Sequence, residues 1–440
     1  YDGSLSNNSW FMELPDPVTK MTWDNAALVS LNTAKKILGQ KKAKEISEEA
    51  PNYDDTVLVR IKSANGVVEL PIWVQHGMQD GVIATTTGFG RTKLGEVANN
   101  VGANAYSLMS SEQSFGYVPV TVEVTEKKYK IATTQHHTDL IGRKLALETT
   151  IGQIKAKDEH LFEKEHVPGK KGHKNEELPQ SIIPSFAYKG HRWGMTIDMS
   201  ACVGCGACIT ACQAENNIAV VGKEHVANGR DMHWIRIDRY YDHSNLENPN
   251  VTFQPMLCQH CESAPCENVC PVAATTHSPE GLNEMTYNRC VGTKYCANNC
   301  PYKVRRFNWF NWHKGKRTPS EFVHNPDVTV RMRGVMEKCS FCTQRITEAR
   351  QKTKDAGELY ISDGSFQTAC QQACPASAIT FGNTNNPESV VSKSRMSERG
   401  FLVLEELNVR PQITYLAKVR NQEAKHGAGH GKESGAEKHG

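Results

Sequence analysis

The first 201 residues of this 440-residue chain contain no cysteine, although the whole chain has 15. That excludes a thiolate-held metal centre from nearly half the sequence, and the confinement is itself a domain signal. Long apolar runs are also missing. No stretch approaches the ~18 consecutive apolar residues of a membrane-spanning helix. Charge is nearly balanced at +3, too little to argue for nucleic acid. The chain opens at Tyr1 rather than Met, without a signal-like apolar segment, and reads as mature, processed or a fragment. No C-x-x-C-H occurs, so covalent c-type haem is not indicated. The nearest approach to a phosphate loop is Thr85-Thr-Thr-Gly88-Phe-Gly90-Arg-Thr-Lys-Leu-Gly95. It matches neither G-x-G-x-x-G nor a P-loop and reads as a structural glycine turn. His136 and His137 are adjacent, so on a strand they point to opposite faces, and a structural role is preferred. No nucleophile–base pair can be defended.

What the first part does contain is β-rich. Residues 1–50 read as an entry arm with Trp10, Trp23 and the Pro15/Pro17 pair, followed by a short helix over 26–38. Two β-rich runs flank Asn65-Gly66 and read as a hairpin. Further strands are expected over 81–87, 118–125 and 128–134, making residues 50–135 a small barrel or sandwich. The pattern turns helical and then charged from Leu140 to Glu165. A linker follows at 166–182, an ordered region at 183–421, and a polar tail rich in His, Gly and Lys at 422–440.

The cysteines fall in four groups. The first is Cys202-x2-Cys205-x2-Cys208-x3-Cys212, the run by which bacterial ferredoxins hold iron–sulfur clusters. The second is Cys258-x2-Cys261-x4-Cys266-x3-Cys270-Pro271. The third is Cys290-x5-Cys296-x3-Cys300-Pro301. The fourth is Cys339-x2-Cys342 with Cys370-x3-Cys374-Pro375. An odd count at C-x2-C spacing argues against a disulfide framework. Four-cysteine zinc sites use C-x2-C pairs but do not need three thiols spaced x2, x2 and a fourth at x3.

Short β segments precede the first three groups and one follows the last, at 194–198, 234–238, 282–287 and 378–382. Strand, cluster loop, helix and strand is a ferredoxin plan. Its duplication predicts two nested modules, the outer from groups one and four, the inner from groups two and three. In ferredoxin runs the fourth Cys serves the other cluster. That rule predicts three [4Fe–4S] sets: Cys202, Cys205, Cys208 and Cys374; Cys212, Cys339, Cys342 and Cys370; and Cys258, Cys261, Cys266 and Cys300. Cys270, Cys290 and Cys296 form a fourth set with no fourth thiolate, because Thr293 stands where a second cysteine belongs. A neutral hydroxyl is a poor iron ligand beside a soft thiolate, so this site is expected to hold [3Fe–4S].

Tyr302-Lys-Val-Arg-Arg306-Phe-Asn-Trp309-Phe-Asn-Trp312-His313 follows the third group directly. Basic and aromatic residues together suit docking of a partner or lipid head groups, while Phe307, Trp309 and Phe310 equally suit a core around the clusters. Lys294 and Lys338 lie beside cluster ligands, where a cation favours the reduced, more negative cluster, unless they are simply solvated.

The cysteine region resembles the four-cluster iron–sulfur subunits of the molybdopterin oxidoreductase superfamily. The departure at Thr293, and the stretches Leu14-Pro-Asp-Pro-Val-Thr-Lys-Met-Thr-Trp-Asp-Asn25 and Gly88-Phe-Gly-Arg-Thr-Lys-Leu-Gly95 through Asn104-Ala-Tyr106, resemble the iron–sulfur subunit of alternative complex III. The resemblance covers most of residues 1–421. It implies an α+β chain. Residues 1–165 would be the pterin-dinucleotide-domain-like barrel of a larger molybdopterin-oxidoreductase-like module, fused to a duplicated ferredoxin-like region. It also implies a membrane-embedded quinol-binding partner, c-type cytochrome subunits, other subunits of a respiratory complex, and a peripheral place on the periplasmic face of the bacterial inner membrane. Nucleic acid is not an expected partner. The function so implied is electron relay without a substrate-converting site of its own. The alternative is an iron–sulfur subunit feeding a catalytic molybdopterin reductase, such as a polysulfide or dimethyl sulfoxide reductase.

Overall fold

A computed structural model of the chain describes residues 2–47, 56–110, 117–156, 186–242, 245–313 and 320–421. The expected linker at 166–182 and tail at 422–440 lie outside these residues.

The first region is built on a five-stranded sheet in the order Ile83–Ala84, Ala27–Val29, Val67–Val74, Thr56–Lys62, Thr121–Tyr129. Its centre is the hairpin expected around Asn65-Gly66, paired antiparallel from Leu58↔Pro71 to Lys62↔Val67. Alternation places Val59 and Ile61 inward against Leu70 and Ile72, with Ala34 and Ala43 from two helices closing the face. Gly66 is required there, since a Cβ would stand 2.4 Å from the Ser107 carbonyl oxygen.

Several sequence readings change here. Among the described residues the outer strands Ile83–Ala84 and Thr121–Tyr129 are not paired with each other, so the sheet is open and no closed barrel is formed. The helix expected over 26–38 divides. Ala27–Val29 is a strand parallel to Ile72–Val74, and the helix Leu31–Leu38 begins after Ser30, whose Oγ accepts from the Thr33 amide at 3.0 Å. Burial in the sheet outweighs helix propensity at Leu28 and Val29. The two strands expected at 118–125 and 128–134 are one strand, Thr121–Tyr129, followed by the short Ala132–Thr133. Of the helical pattern after Leu140, the described part is the five-residue helix Ile151–Lys155, preceded by a strand, Glu148–Thr150. The glycine loop is structural, as expected. Its Gly88 and Gly90 lie against the backbone of Gly3 and Asn104, where a Cβ would come within 2.4 Å and 2.2 Å.

The cysteine region is organised by a four-stranded sheet in the order Ile379–Asn383, Trp193–Asp198, Ile413–Leu416, Gly400–Phe401. Three two-stranded hairpins accompany it: Arg236–Tyr241 with Val251–Met256, Thr275–His277 with Asn283–Met285, and Arg306–Phe307 with Met336–Glu337. The expected segments at 194–198, 282–287 and 378–382 are therefore strands or contain one. The one at 234–238 begins two residues later, because Trp234 and Ile235 are spent on the core.

The sheet of the first region keeps its own core, and a few other residues of that region join the core of the cysteine region. Met12, Trp23, Ala132 and Ala146 join the residues around the cysteines. Buried polar contacts fasten the join. The Glu13 carboxylate accepts from the amides of Val221 and Gly222 and from the Trp23 indole N–H. Lys223 reaches Asp24 at 2.5 Å and the Tyr129 hydroxyl at 2.7 Å, and that hydroxyl donates to Asp24 at 2.8 Å. Glu148–Thr150 pairs in parallel with Lys418–Arg420, near the far end of the described chain. No helix among the described residues is long and apolar enough to cross a membrane.

Candidate iron–sulfur centres

Each cysteine group sits on a loop between a strand and a short helix, and the loops repeat in pairs. In the first group Gly204 and Gly206 have φ +73° and +79°; in the third Gly292 and Lys294 have φ +73° and +60°. In the second group His260 and Ala273 have φ +44° and +48°; in the fourth Phe341 and Ser377 have φ +55° and +48°. Group one therefore corresponds to group three, and group two to group four. Burial follows the same correspondence. Cys202 and Cys290 are half-buried, Cys208 and Cys296 buried, Cys212 and Cys300 buried, and Cys270 and Cys374 half-buried. Thr293 falls on the position of Cys205, and both are exposed. The helices also match: Ala207–Glu215 packs on Ala369–Gln372, as Tyr295–Asn299 packs on Pro265–Asn268.

Three of the expected sets contain electrostatic neighbours. Cys208 has Cys202, Cys205 and Cys374 as electrostatic neighbours. Cys212 has Cys339, Cys342 and Cys370. Cys261 has Cys258, Cys266 and Cys300. Cys270 and Cys296 both adjoin Arg305, and Cys290 lies on the loop equivalent to Cys202. Contacts between quartets give an order. Cys370 neighbours Cys208, and Cys258 neighbours Cys339.

The surroundings fit cluster ligation. Hydrogen bonds to sulfur are one of the levers on an iron–sulfur centre, and several amides point at thiols here. Ala274 donates to Cys270 at 3.2 Å and Ala378 to Cys374 at 3.3 Å, a matched pair across the repeat. Phe341 donates to Cys339 at 3.4 Å, Met336 to Cys290 at 3.4 Å, and Ala369 to Cys342 at 3.5 Å. Burial pushes the thiols of Cys208, Cys212, Cys261 and Cys339 well above their usual range. Such buried thiols are inert until a metal takes the proton's place. Iron–sulfur clusters, when bound, supply the one-electron redox chemistry; the chain supplies sulfur, spacing and local charge.

Where the two modules meet, His260 stacks on Phe341 with ring centroids 3.9 Å apart and planes at 22°. Both are fully buried and occupy equivalent positions between the paired cysteines. The His260 Nδ1 accepts from the Asn283 amide at 3.0 Å. Burial, then the charge of Lys338, holds the imidazole well below its ordinary pKa and hence neutral. This contact, and the amide side chains of Asn216 and Asn283 that reach Cys212 and Cys266, are absent from the sequence reading. Aligning the groups as a repeat would have exposed the His260–Phe341 equivalence.

The basic–aromatic stretch is divided between core and surface. Arg305 and Trp312 are buried, and Arg306 pairs with Asp231 at 2.9 Å. Trp309 and Phe310 are 44% and 46% exposed, with Lys294 4.0 Å above the Trp309 ring and Arg230 beside both. Lys338 is buried rather than solvated.

Two family models, each described as a 4Fe-4S dicluster domain, match the chain at residues 201–274 and 249–318. A menaquinone reductase iron–sulfur cluster-binding subunit from Nitratidesulfovibrio vulgaris is 40% identical over 242 residues, which is 54% of this chain and 92% of that protein. The chain belongs to the iron–sulfur subunits of the menaquinol and molybdopterin-type oxidoreductases. An Hdr-like menaquinol oxidoreductase iron–sulfur subunit 1 from Archaeoglobus fulgidus is 34% identical, covering 48% of this chain and 77% of its own length. A putative dimethyl sulfoxide reductase iron–sulfur subunit from Halobacterium salinarum is 33% identical, covering 51% and 78%. These matches take in about half of this family member. The duplicated ferredoxin-like arrangement accounts for its cysteine region.

Proposed function

We propose that the chain relays electrons inside a membrane-associated respiratory quinol:acceptor oxidoreductase of the alternative complex III type. Its cysteines would bind three [4Fe–4S] clusters and one [3Fe–4S] cluster in the ligand sets given above. The observation that carries the reading is the repeat. Members of three of the proposed sets are electrostatic neighbours, and Thr293, between Cys290 and Cys296, takes the place of Cys205. Neighbouring thiols support a linear wire from the Cys202 set, through the Cys339 and Cys258 sets, to the Cys290 set. The three-iron end would accept electrons from quinol, since Trp309, Phe310 and Lys294 beside it offer an exposed aromatic and cationic face to a quinol-binding membrane subunit. A c-type cytochrome subunit would take the electrons on the periplasmic face. Residues 1–165 would be the remainder of a molybdopterin-oxidoreductase-like module, here fastened to the wire as scaffold.

EPR-monitored redox titration of the intact complex tests this reading. One three-iron signal in the air-oxidised protein and three four-iron signals on reduction are expected. A fourth four-iron signal with no three-iron signal would overturn the assignment at Thr293. A second reading, delivery of electrons to a catalytic molybdenum site, is favoured by the dimethyl sulfoxide reductase relative. Stoichiometric molybdenum in the complex would select it.

A further inference from the structure

Among the described residues, two buried cations of the cysteine region, Lys338 and Arg305, pair with no carboxylate. Lys338 is 1% exposed, and its ammonium donates to the Cys339 carbonyl at 2.8 Å. The nearest acid in sequence, Glu337, is occupied by Arg331, Trp234 and Asn308. Arg305 is 6% exposed; its guanidinium donates to Thr275 Oγ1 at 3.0 Å and Asn283 Oδ1 at 2.9 Å, both neutral. An ammonium or guanidinium taken out of water without a counter-charge is strongly unfavourable. Arg331, also buried, shows the usual remedy in Glu337, and the half-buried Arg306 has Asp231.

The missing negative charge lies among the thiols. Lys338 precedes Cys339 in the chain and neighbours Cys266. Arg305 neighbours Cys266, Cys258 and Cys296. Both cations therefore adjoin the Cys258, Cys261, Cys266, Cys300 set, Lys338 also lying next to Cys339 and Arg305 also neighbouring Cys296. The repeat is broken at both positions. Leu257 is the counterpart of Lys338, and Asn217, five residues after Cys212, is the counterpart of Arg305. Both counterparts are buried and uncharged.

We infer that Lys338 and Arg305 are the counter-cations of the cluster held by Cys258, Cys261, Cys266 and Cys300, and set its potential above those of the other four-iron clusters. The inference rests on the ligand sets proposed above. Each one-electron reduction, with the electron supplied by a mediator, adds one negative charge to a cluster and its four thiolates. A fixed cation beside it stabilises the reduced form, and net charge is one of the levers on such potentials. In a dry interior that stabilisation is weakly screened. The neighbouring clusters, each beside only one of these two cations, feel a single share.

The test is an EPR-monitored redox titration of the intact complex carrying Lys338→Met or Arg305→Gln. Each exchange is expected to shift two signals to more negative potential. One shifted signal is common to both variants, and it is the highest-potential four-iron signal of the native complex. The expected change is about tenfold in that cluster's one-electron equilibrium, which is about 59 mV. Unmoved midpoints at native iron content, or shifts with no signal in common, would overturn the inference. Should either variant lose iron, Lys338→Arg and Arg305→Lys decide. Native iron and midpoints in these charge-retaining variants support the counter-cation role, whereas iron loss in them too would mean that shape, not charge, is required. Iron content and signal count of the native complex test the ligand sets independently.

Discussion

Replacing Thr293 with Cys is the most informative single change. The loop around it already has the required backbone, since Gly292 and Lys294 repeat the left-handed conformations of Gly204 and Gly206 that flank Cys205. No reorganisation is needed to present a sulfur. The Thr293 side chain is exposed and makes no hydrogen bond or ion pair among the described residues, so its loss should change stability by no more than about 0.5 kcal/mol. The gain is a fourth thiolate for the set Cys270, Cys290 and Cys296. Iron should rise by about one atom per chain, the number needed to complete a four-iron cluster. The three-iron EPR signal of the air-oxidised protein should vanish, a further four-iron signal should appear on reduction, and quinol oxidation by the complex should be impaired. A T293C protein of native stability that keeps its three-iron signal, or one that oxidises quinol at the native rate after conversion, would refute the reasoning.

Glu13 should make stability depend on pH. Burial raises its carboxyl from 4.5 to about 7, against the pull of three N–H donors. The folded state thus holds a proton that the unfolded state has released. Stability should be greatest below pH 4.5 and fall by about 3 kcal/mol as pH rises to about 7; the slope in urea unfolding should disappear in E13Q. Exchanging Lys223 for Met leaves Asp24 buried beside Tyr129 without its cation and should cost about 3 kcal/mol in the same assay, with a midpoint equal to the native one as the contrary result. Iron chelation under reducing conditions should expose residues 186–421 to protease before the open sheet at 27–129, because the cysteine loops have thiols rather than side-chain packing at their centres. Simultaneous cleavage of both regions would count against that separation.

The chemistry of this protein is legible in its sequence to an unusual degree because thiolate spacing is a local property. The grouping of the cysteines, the missing thiol at Thr293 and the Asn65-Gly66 hairpin all follow from neighbours a few residues apart. What escaped depends on distant partners. Ala27–Val29 becomes a strand only because Ile72–Val74 and Ile83–Ala84 lie on either side of it. Glu148–Thr150 is a strand because Lys418–Arg420 returns to it. The barrel or sandwich expected from strand count is, among the described residues, an open sheet, since strand count says nothing of whether the outermost strands meet. Lys338 stands out in sequence only by its place beside Cys339 and Arg305 not at all, and it is their burial that marks them out.

The sheet that organises the cysteine region places Trp193–Asp198 between Ile379–Asn383 and Ile413–Leu416. On a ribosome the middle strand is made first, and both neighbours follow only after the intervening cysteine groups. At synthesis rates of ~5–20 residues per second, that wait is roughly ten to forty seconds. Through that interval the first run of thiols has no sheet to stand on and is open to oxidation or to adventitious metal. Cluster delivery to this protein is thus tied to completion of its chain, and a cell that makes it has reason to keep the nascent region guarded until its last strand arrives.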